Sequence, residues 1–212
     1  MSAEQIQQWT AALGEQWDVG HFLWKIRQGV FVELEAGKFE DLLSRIELAD
    51  EDRLLDREFV SVLWYVPLFL HWNIERVAKK SGNQEQFETF AARVEDEISR
   101  IFGFAELTTT NSNDAFRDLR REWQNGGFLE KVSRGIFDEE GSQRFKQFLE
   151  TVEVSPQLKF LDREMVSSVW KAPLYLERLA DSYSSIHSAT SQEISRYATL
   201  VENELQQILG IP

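Results

Sequence analysis

The chain has 212 residues, of which 42% are apolar and 28% charged, a balance that is typical of globular proteins and argues against intrinsic disorder. The absence of cysteine excludes disulfides, thiolate metal sites and cysteine nucleophiles. A net charge of −13 disfavours nucleic acid as a partner, because an acidic surface repels phosphate groups. No apolar run reaches the ~18 residues of a membrane span and no signal peptide is recognisable, so we expect a cytoplasmic protein without membrane contact.

The spacing of apolar residues predicts an all-α fold. In the first half of the chain it predicts five helices, near 3–16, 21–35, 38–48, 51–81 and 84–102. Gly37, Gly82 and Gly103 stand where these helices are expected to end, because glycine is common just beyond a helix. A short strand at 30–32 is the alternative for that segment, but its counterpart at 136–138 does not alternate convincingly.

The fourth predicted helix is apolar on two opposite faces. One face carries Leu55, Phe59, Val62, Val66 and Leu70. The opposite face carries Val60, Trp64 and Pro67. A helix that is apolar on both sides packs on both sides, so we place it at the centre of its unit. Pro67 removes a backbone hydrogen bond inside the helix and therefore predicts a kink or a break.

The two halves of the chain repeat each other. The segment 17–70 matches the segment 123–176 without a gap, and more than a third of the paired positions are identical. Beyond these segments the match continues with one extra residue in the second half, so that Glu95 pairs with Glu202. A match of this length indicates a tandem duplication.

The duplication predicts the domain organisation. We expect two units of roughly five helices each, 1–106 and 107–212, packed with approximate two-fold pseudo-symmetry. The stretch 108–113 is rich in threonine, serine and asparagine and is the one linker-like segment of the sequence. Whether the two units share one core is open at this point.

A charged tripeptide, Asp-Arg-Glu, stands in both halves. Its copies are Asp56, Arg57, Glu58 and Asp162, Arg163, Glu164. Three consecutive residues of a helix point in different directions, so one copy alone cannot form a compact catalytic cluster. The structural interpretation is that the arginine pairs with a carboxylate of another helix. The alternative is a carboxylate-lined cleft between the repeats, which would serve an enzyme or a small-ligand binder.

Recognisable catalytic motifs are missing from the sequence. The three histidines are not spaced as metal ligands, and no P-loop, GxGxxG, GxSxG or HExxH pattern occurs. We therefore assign no catalytic residue, no metal and no cofactor. This favours a protein that is not an enzyme without deciding the question.

Ring-bearing residues distinguish the first half from the second. In the first half they are Trp24, Tyr65, His71 and Trp72. Their counterparts are Glu130, Lys171, Glu177 and Arg178. Either the rings contact the other copy, or they form an exposed patch that binds a partner, as aromatic anchors often do. Tyr65 and Trp72 are two helical turns apart and share a face if the helix continues past the proline.

Acidic residues concentrate in a short region of the first half that includes Glu47, Asp50 and Asp52. Such a run is most often a solvated face, but beside an aromatic patch it would suit a basic partner. We therefore expect a non-enzymatic, acidic protein-binding module, in concrete form an inhibitor or immunity-type protein that covers a basic partner. A self-assembling helical protein is a further alternative, and the sequence does not give the oligomeric state.

Overall fold

A computed structural model of the chain describes residues 2–49, 52–103, 114–152 and 158–212. These residues are mostly helical, with one two-stranded sheet, and the all-α fold class is confirmed. Within the described part of the chain, no helix is both long and apolar enough to cross a membrane. The linker-like stretch 108–113 lies outside the described residues.

The chain divides into two compact units. The first comprises Met1–Gly103, Lys159–Arg163 and Ile211–Pro212, and the second comprises Phe104–Leu158 and Glu164–Gly210. The elements of the first half are α1 (Ala3–Gly14), a 3₁₀ turn (Glu15–Trp17), α2 (Phe22–Arg27), α3 (Glu33–Ser44), β1 (Leu54–Asp56), α4 (Arg57–Trp64), α5 (Val66–Ser81) and α6 (Gln84–Phe102). Those of the second half are α7 (Asp114–Arg121), α8 (Phe128–Ser133), α9 (Glu139–Thr151), β2 (Phe160–Asp162), α10 (Arg163–Val169), α11 (Ala172–Tyr183) and α12 (Ser188–Leu209).

Aromatic rings fill the core of the first unit. Phe22 of α2 lies 5.6 Å from Phe39 of α3 and 5.4 Å from Phe90 of α6, measured between ring centroids. Phe31, in the connection between α2 and α3, lies 5.3 Å from Phe87 of α6. These contacts hold two short helices against the long α6, because each buried ring removes a large apolar area from water.

The second unit has a similar core with one polar difference. Phe128 of α8 lies 6.3 Å from Phe145 of α9 and 5.0 Å from the ring of Tyr197 in α12. The Tyr197 hydroxyl donates a 2.6 Å hydrogen bond to the carbonyl oxygen of Ser142. Burial, the largest cause, raises the pKa of Tyr197 well above its usual range. The phenol is therefore neutral and acts as a buried donor between α12 and α9.

The helix expected at 51–81 begins only at Arg57 and is interrupted once. Leu54–Asp56 form β1 instead, and the helical part splits into α4 and α5 at Tyr65. Pro67 occupies the first turn of α5, where its missing N–H is tolerated, so the predicted break is confirmed. The side chains on both faces, including Phe59 and Val60, are buried, which confirms that this region packs on two sides.

The strand β1 pairs in antiparallel register with β2, which comes from far along the chain. Leu55 stands opposite Leu161, and both side chains are buried. At the ends of the pair, the Arg57 N–H donates to the Lys159 carbonyl oxygen and the Arg163 N–H to the Arg53 carbonyl oxygen, each at 2.8 Å. The segment Lys159–Arg163 therefore belongs to the first unit by its contacts.

Several sequence-based boundaries needed correction. The helix expected at 21–35 ends at Arg27, because the backbone turns at Gly29 with a φ of +76°. Gly82 and Gly103 do end α5 and α6, but Gly37 lies inside α3. The alternative strand at 30–32 is not formed.

Candidate functional site

Four aromatic side chains of the first unit, Trp17, Tyr65, Phe69 and Trp72, form what we call the aromatic patch. The ring of Tyr65 lies 5.9 Å from that of Trp72, and the two are nearly perpendicular. Trp17 lies 6.2 Å from Tyr65 and 5.0 Å from Phe69. The break between α4 and α5 places Tyr65 at their junction, where it contacts a ring of the following helix.

The aromatic patch is exposed at one end and anchored at the other. Trp72 has 42% of its surface exposed, whereas Phe69 is buried and Trp17 and Tyr65 are partly buried. The Trp17 indole N–H donates a 3.2 Å hydrogen bond to the Val62 carbonyl oxygen. This bond fixes Trp17, whose ring packs on that of Tyr65, and Tyr65 in turn packs on the exposed indole of Trp72.

Cationic side chains border the aromatic patch. The guanidinium of Arg27 lies 5.8 Å from the Phe69 ring centroid. Arg76, one turn after Trp72 on α5, donates through Nη1 to the Arg27 carbonyl oxygen at 2.7 Å, and Lys80 donates to that of Gln28 at 2.8 Å. We call Arg27, Arg76, Lys79 and Lys80 the basic rim.

The other residues that the sequence assigned to a partner surface are spread over several elements. Trp24 in α2 and His71 in α5 are partly buried. Glu47 is exposed in the loop after α3, and the Asp52 carboxylate accepts a 2.9 Å hydrogen bond from the Ala49 N–H. Asp50 lies outside the described residues. Among the residues that the sequence assigned to a partner surface, Tyr65 and Trp72 have rings in contact with each other.

The first Asp-Arg-Glu copy begins a helix. Asp56 is the N-cap of α4, and its Oδ1 accepts hydrogen bonds from the N–H groups of Glu58 at 2.9 Å and Phe59 at 3.2 Å. An aspartate in this position satisfies donors that the first helical turn leaves free. The Glu58 side chain is exposed, and Arg57 is partly buried.

The second copy is also engaged in contacts that stabilise the fold. Arg163 donates to the carbonyl oxygens of Ala49 at 2.9 Å and Ile101 at 3.2 Å. Glu164 forms an ion pair with Arg120 of α7.

The register of the strands keeps the two aspartates of the motif apart. Asp56 stands opposite Phe160, and Asp162 stands opposite Leu54, so they occupy opposite ends of the short ladder. Among the described residues, no group of three histidines and carboxylates is arranged to hold a metal ion. In the first unit, Asp56 and Asp162 therefore lie at the ends of their strands, and Asp56 also begins a helix.

Sequence reasoning missed part of the site. Trp17 has an identical counterpart in Trp123, so the differences between the halves do not single it out, although its ring supports that of Tyr65. The basic rim was missed as well, although the sequence held a signal for it. Arg76 and Lys79 follow Trp72 at helical spacing, which puts them on one face of α5.

Comparison of the chain with protein-family models, with curated proteins and with solved structures found no match.

Proposed function

We propose that the chain is a non-enzymatic protein-binding module and that the aromatic patch is its contact surface. The observation that carries the proposal is the 42% exposure of Trp72, whose indole packs edge-on against Tyr65. Large rings that are already held in position lose little conformational entropy on binding, and for this reason tryptophan and tyrosine dominate binding hot spots. The counterparts of these two residues are Arg178 and Lys171, so the proposed surface belongs to the first unit.

The net charge suggests the kind of partner. At −13, the chain would attract a basic protein over distances of several ångströms and accelerate the encounter. The concrete form of the proposal is therefore an inhibitor or immunity-type protein that covers a basic enzyme or toxin.

The test compares the full chain with its Trp72→Ala variant in capture experiments from the cells that make the protein. Hot-spot substitutions cost about 2 kcal/mol or more, so we expect the affinity for the captured partner to fall at least about tenfold. The matched control is Ile186→Ala, which truncates an apolar side chain of the second unit that is 68% exposed. Equal affinities of Trp72→Ala and the unmodified chain would refute the aromatic patch as the contact surface.

We also propose that the chain arose by tandem duplication. Equivalent hydrogen bonds support this origin: Trp17 donates to the Val62 carbonyl oxygen, and its counterpart Trp123 donates to that of Ser168 at 2.8 Å. The repeated lysine also forms an ion pair in both halves, with carboxylates from non-equivalent positions. Lys25 contacts Glu35 at 2.5 Å, and its counterpart Lys131 contacts Asp138 at the same distance.

A further inference from the structure

The basic rim contrasts with the charge of the whole chain. Two of its members, Arg27 and Arg76, are exposed, and Lys79 has a side chain that is 78% exposed. The acidic residue on this face of α5 is Glu75, which lies 3.2 Å from Lys79. The segment 75–80 of α5 thus carries three cations and one carboxylate, and Arg27 of α2 adds a fourth cation, in a chain with 23 basic and 36 acidic residues. The exposed carboxylates next to the aromatic patch in sequence are Glu15 and Asp18, which flank Trp17.

Helix geometry brings these charges close to the aromatic patch. Glu75, Arg76 and Lys79 follow Trp72 at intervals of three, four and seven residues, so they share its face of α5. Arg27 reaches the same region from α2, through its position over Phe69.

Much of this positive charge is not neutralised within the protein. Throughout the described residues, Arg27, Arg76 and Lys80 have no carboxylate partner, and the bonds that fix Arg76 and Lys80 go to neutral carbonyl oxygens. Guanidinium and ammonium groups keep several donors, so these cations retain capacity for an acidic ligand.

Salt screening decides which kind of acidic ligand fits. At physiological ionic strength a charge acts over about 8 Å. A nucleic acid or an anionic membrane extends well beyond that distance and would meet the acidic remainder of the surface. A short acidic segment, by contrast, would experience mainly the nearby cations.

We propose that the aromatic patch and its basic rim bind a short acidic segment of a partner protein, in which an apolar side chain is flanked by carboxylates. The apolar side chain packs on Trp72 and Tyr65, and the carboxylates pair with the rim. This inference rests on the proposed function and refines it at the contact itself. The net charge acts on the whole partner during approach, whereas the rim acts within a few ångströms.

The probes are two synthetic peptides of equal length with the same central tryptophan, flanked by glutamates in one and by lysines in the other. Their affinity for the full chain is measured by isothermal titration calorimetry. We expect the acidic peptide to bind at least about tenfold more tightly, because several exposed ion pairs add their modest contributions.

Two substitutions on α5 should change this affinity in opposite directions. Lys79→Glu should weaken binding of the acidic peptide about threefold to fivefold, and Glu75→Lys should strengthen it by a similar factor. The matched control is Lys146→Glu, which alters an equivalent helical ion pair with Glu150 in α9 by the same charge. It should leave the affinity unchanged.

The outcomes separate the inference from the proposed function. If the basic peptide binds as tightly as the acidic one, or if neither peptide binds, the inference is refuted. Tighter binding to duplex DNA or to phosphatidylserine vesicles than to the acidic peptide also refutes it. In each case the capture experiment with Trp72→Ala still decides whether the aromatic patch is a protein contact at all.

Discussion

At the scale of single residues, Gly141 is coupled to the ion pair of the second unit. A Cβ atom at this position would lie 2.9 Å from the Asp138 Oδ2 and 2.9 Å from the Phe128 Cβ. The side-chain hydrogen bond from Lys131, followed by the backbone N–H of Gly141, lowers the pKa of Asp138. In the first unit the counterpart of Gly141 is Glu35, which itself supplies the carboxylate.

A pair of glycine substitutions tests this coupling. We expect Gly141→Ala to lower the free energy of unfolding by about 1–2 kcal/mol, because the added methyl displaces the carboxylate or the Phe128 side chain. Gly37→Ala is the control, because a Cβ there meets no atom within 4 Å in the middle of α3. It should raise the free energy of unfolding by about 0.5–1 kcal/mol. Urea denaturation of both variants would contradict the explanation if they shifted alike.

Glu177 is a residue whose environment opposes its charge. Burial, then the charges of Asp181 and Glu202, raise the pKa of Glu177 above its ordinary 4.5. Because the folded protein holds this proton more tightly than the unfolded chain, the stability contribution of the carboxyl falls as pH rises above 4.5 and through the folded pKa.

We expect Glu177→Gln to stabilise the protein near pH 7 by up to about 1 kcal/mol, since a partly buried carboxylate is still partly screened by water. The advantage should shrink below about pH 4, where both forms are neutral. The measurement is the urea midpoint at both pH values, with the exposed Glu193→Gln of α12 as the control. An advantage that is the same at both pH values would show that the charge of Glu177 is not its cause.

At the scale of elements, the sequence was most informative where a signal is local. The helix ends at Gly82 and Gly103 and the break at Pro67 follow from backbone chemistry at single residues. The strand Leu54–Asp56 was missed, because its apolar residues continue the pattern of α4 and its partner β2 is distant in sequence. Gly37 was misplaced, because a glycine without strain can also stand inside a helix.

The same distinction applies to the candidate site. Helical spacing put Tyr65 and Trp72 on one face only if the helix continued past Pro67, whereas in the structure their rings are in contact across the junction of α4 and α5. The contribution of Arg27 did not follow, because α2 and α5 meet only through tertiary packing.

Arg163 donates to backbone carbonyl oxygens of α6 and of the loop after α3, so its substitution should weaken both contacts. We expect Arg163→Lys to lower the free energy of unfolding by about 2 kcal/mol or more, because an ammonium cannot replace the forked donors that reach Ala49 and Ile101. The exposed Arg53→Lys is the matched control and should stay within about 0.5 kcal/mol. If thermal denaturation gave the same result for both variants, the carbonyl contacts would contribute nothing measurable.

At the scale of the whole molecule, the first unit depends on a segment of the second half. The predicted domain 1–106 lacks Lys159–Arg163, which supplies Leu161 opposite Leu55. The division into 1–106 and 107–212 therefore stays a prediction, and it can be tested with fragments.

We expect the fragment 1–106 alone to be less stable than the same fragment with a peptide of residues 158–164. The peptide restores a buried leucine pair and the arginine contacts, and a gain of 1 kcal/mol shifts the thermal midpoint by about 4–8 °C in a unit of this size. The control peptide carries Leu161→Asp, which puts a carboxylate into the apolar core. A fragment with the same midpoint with and without the peptide would support independent folding of 1–106.

The pairing of β1 with β2 also determines when the first unit can complete its folding during synthesis on the ribosome. Many chains fold their first domain while the next one is still being translated. Here β1 cannot pair until Arg163 has left the ribosome, so most of the second half is already synthesised when the first unit is complete. Several ribosomes on one messenger RNA therefore carry nascent chains in which β1 is still unpaired. Neighbouring nascent chains then compete with β2 for pairing with this strand.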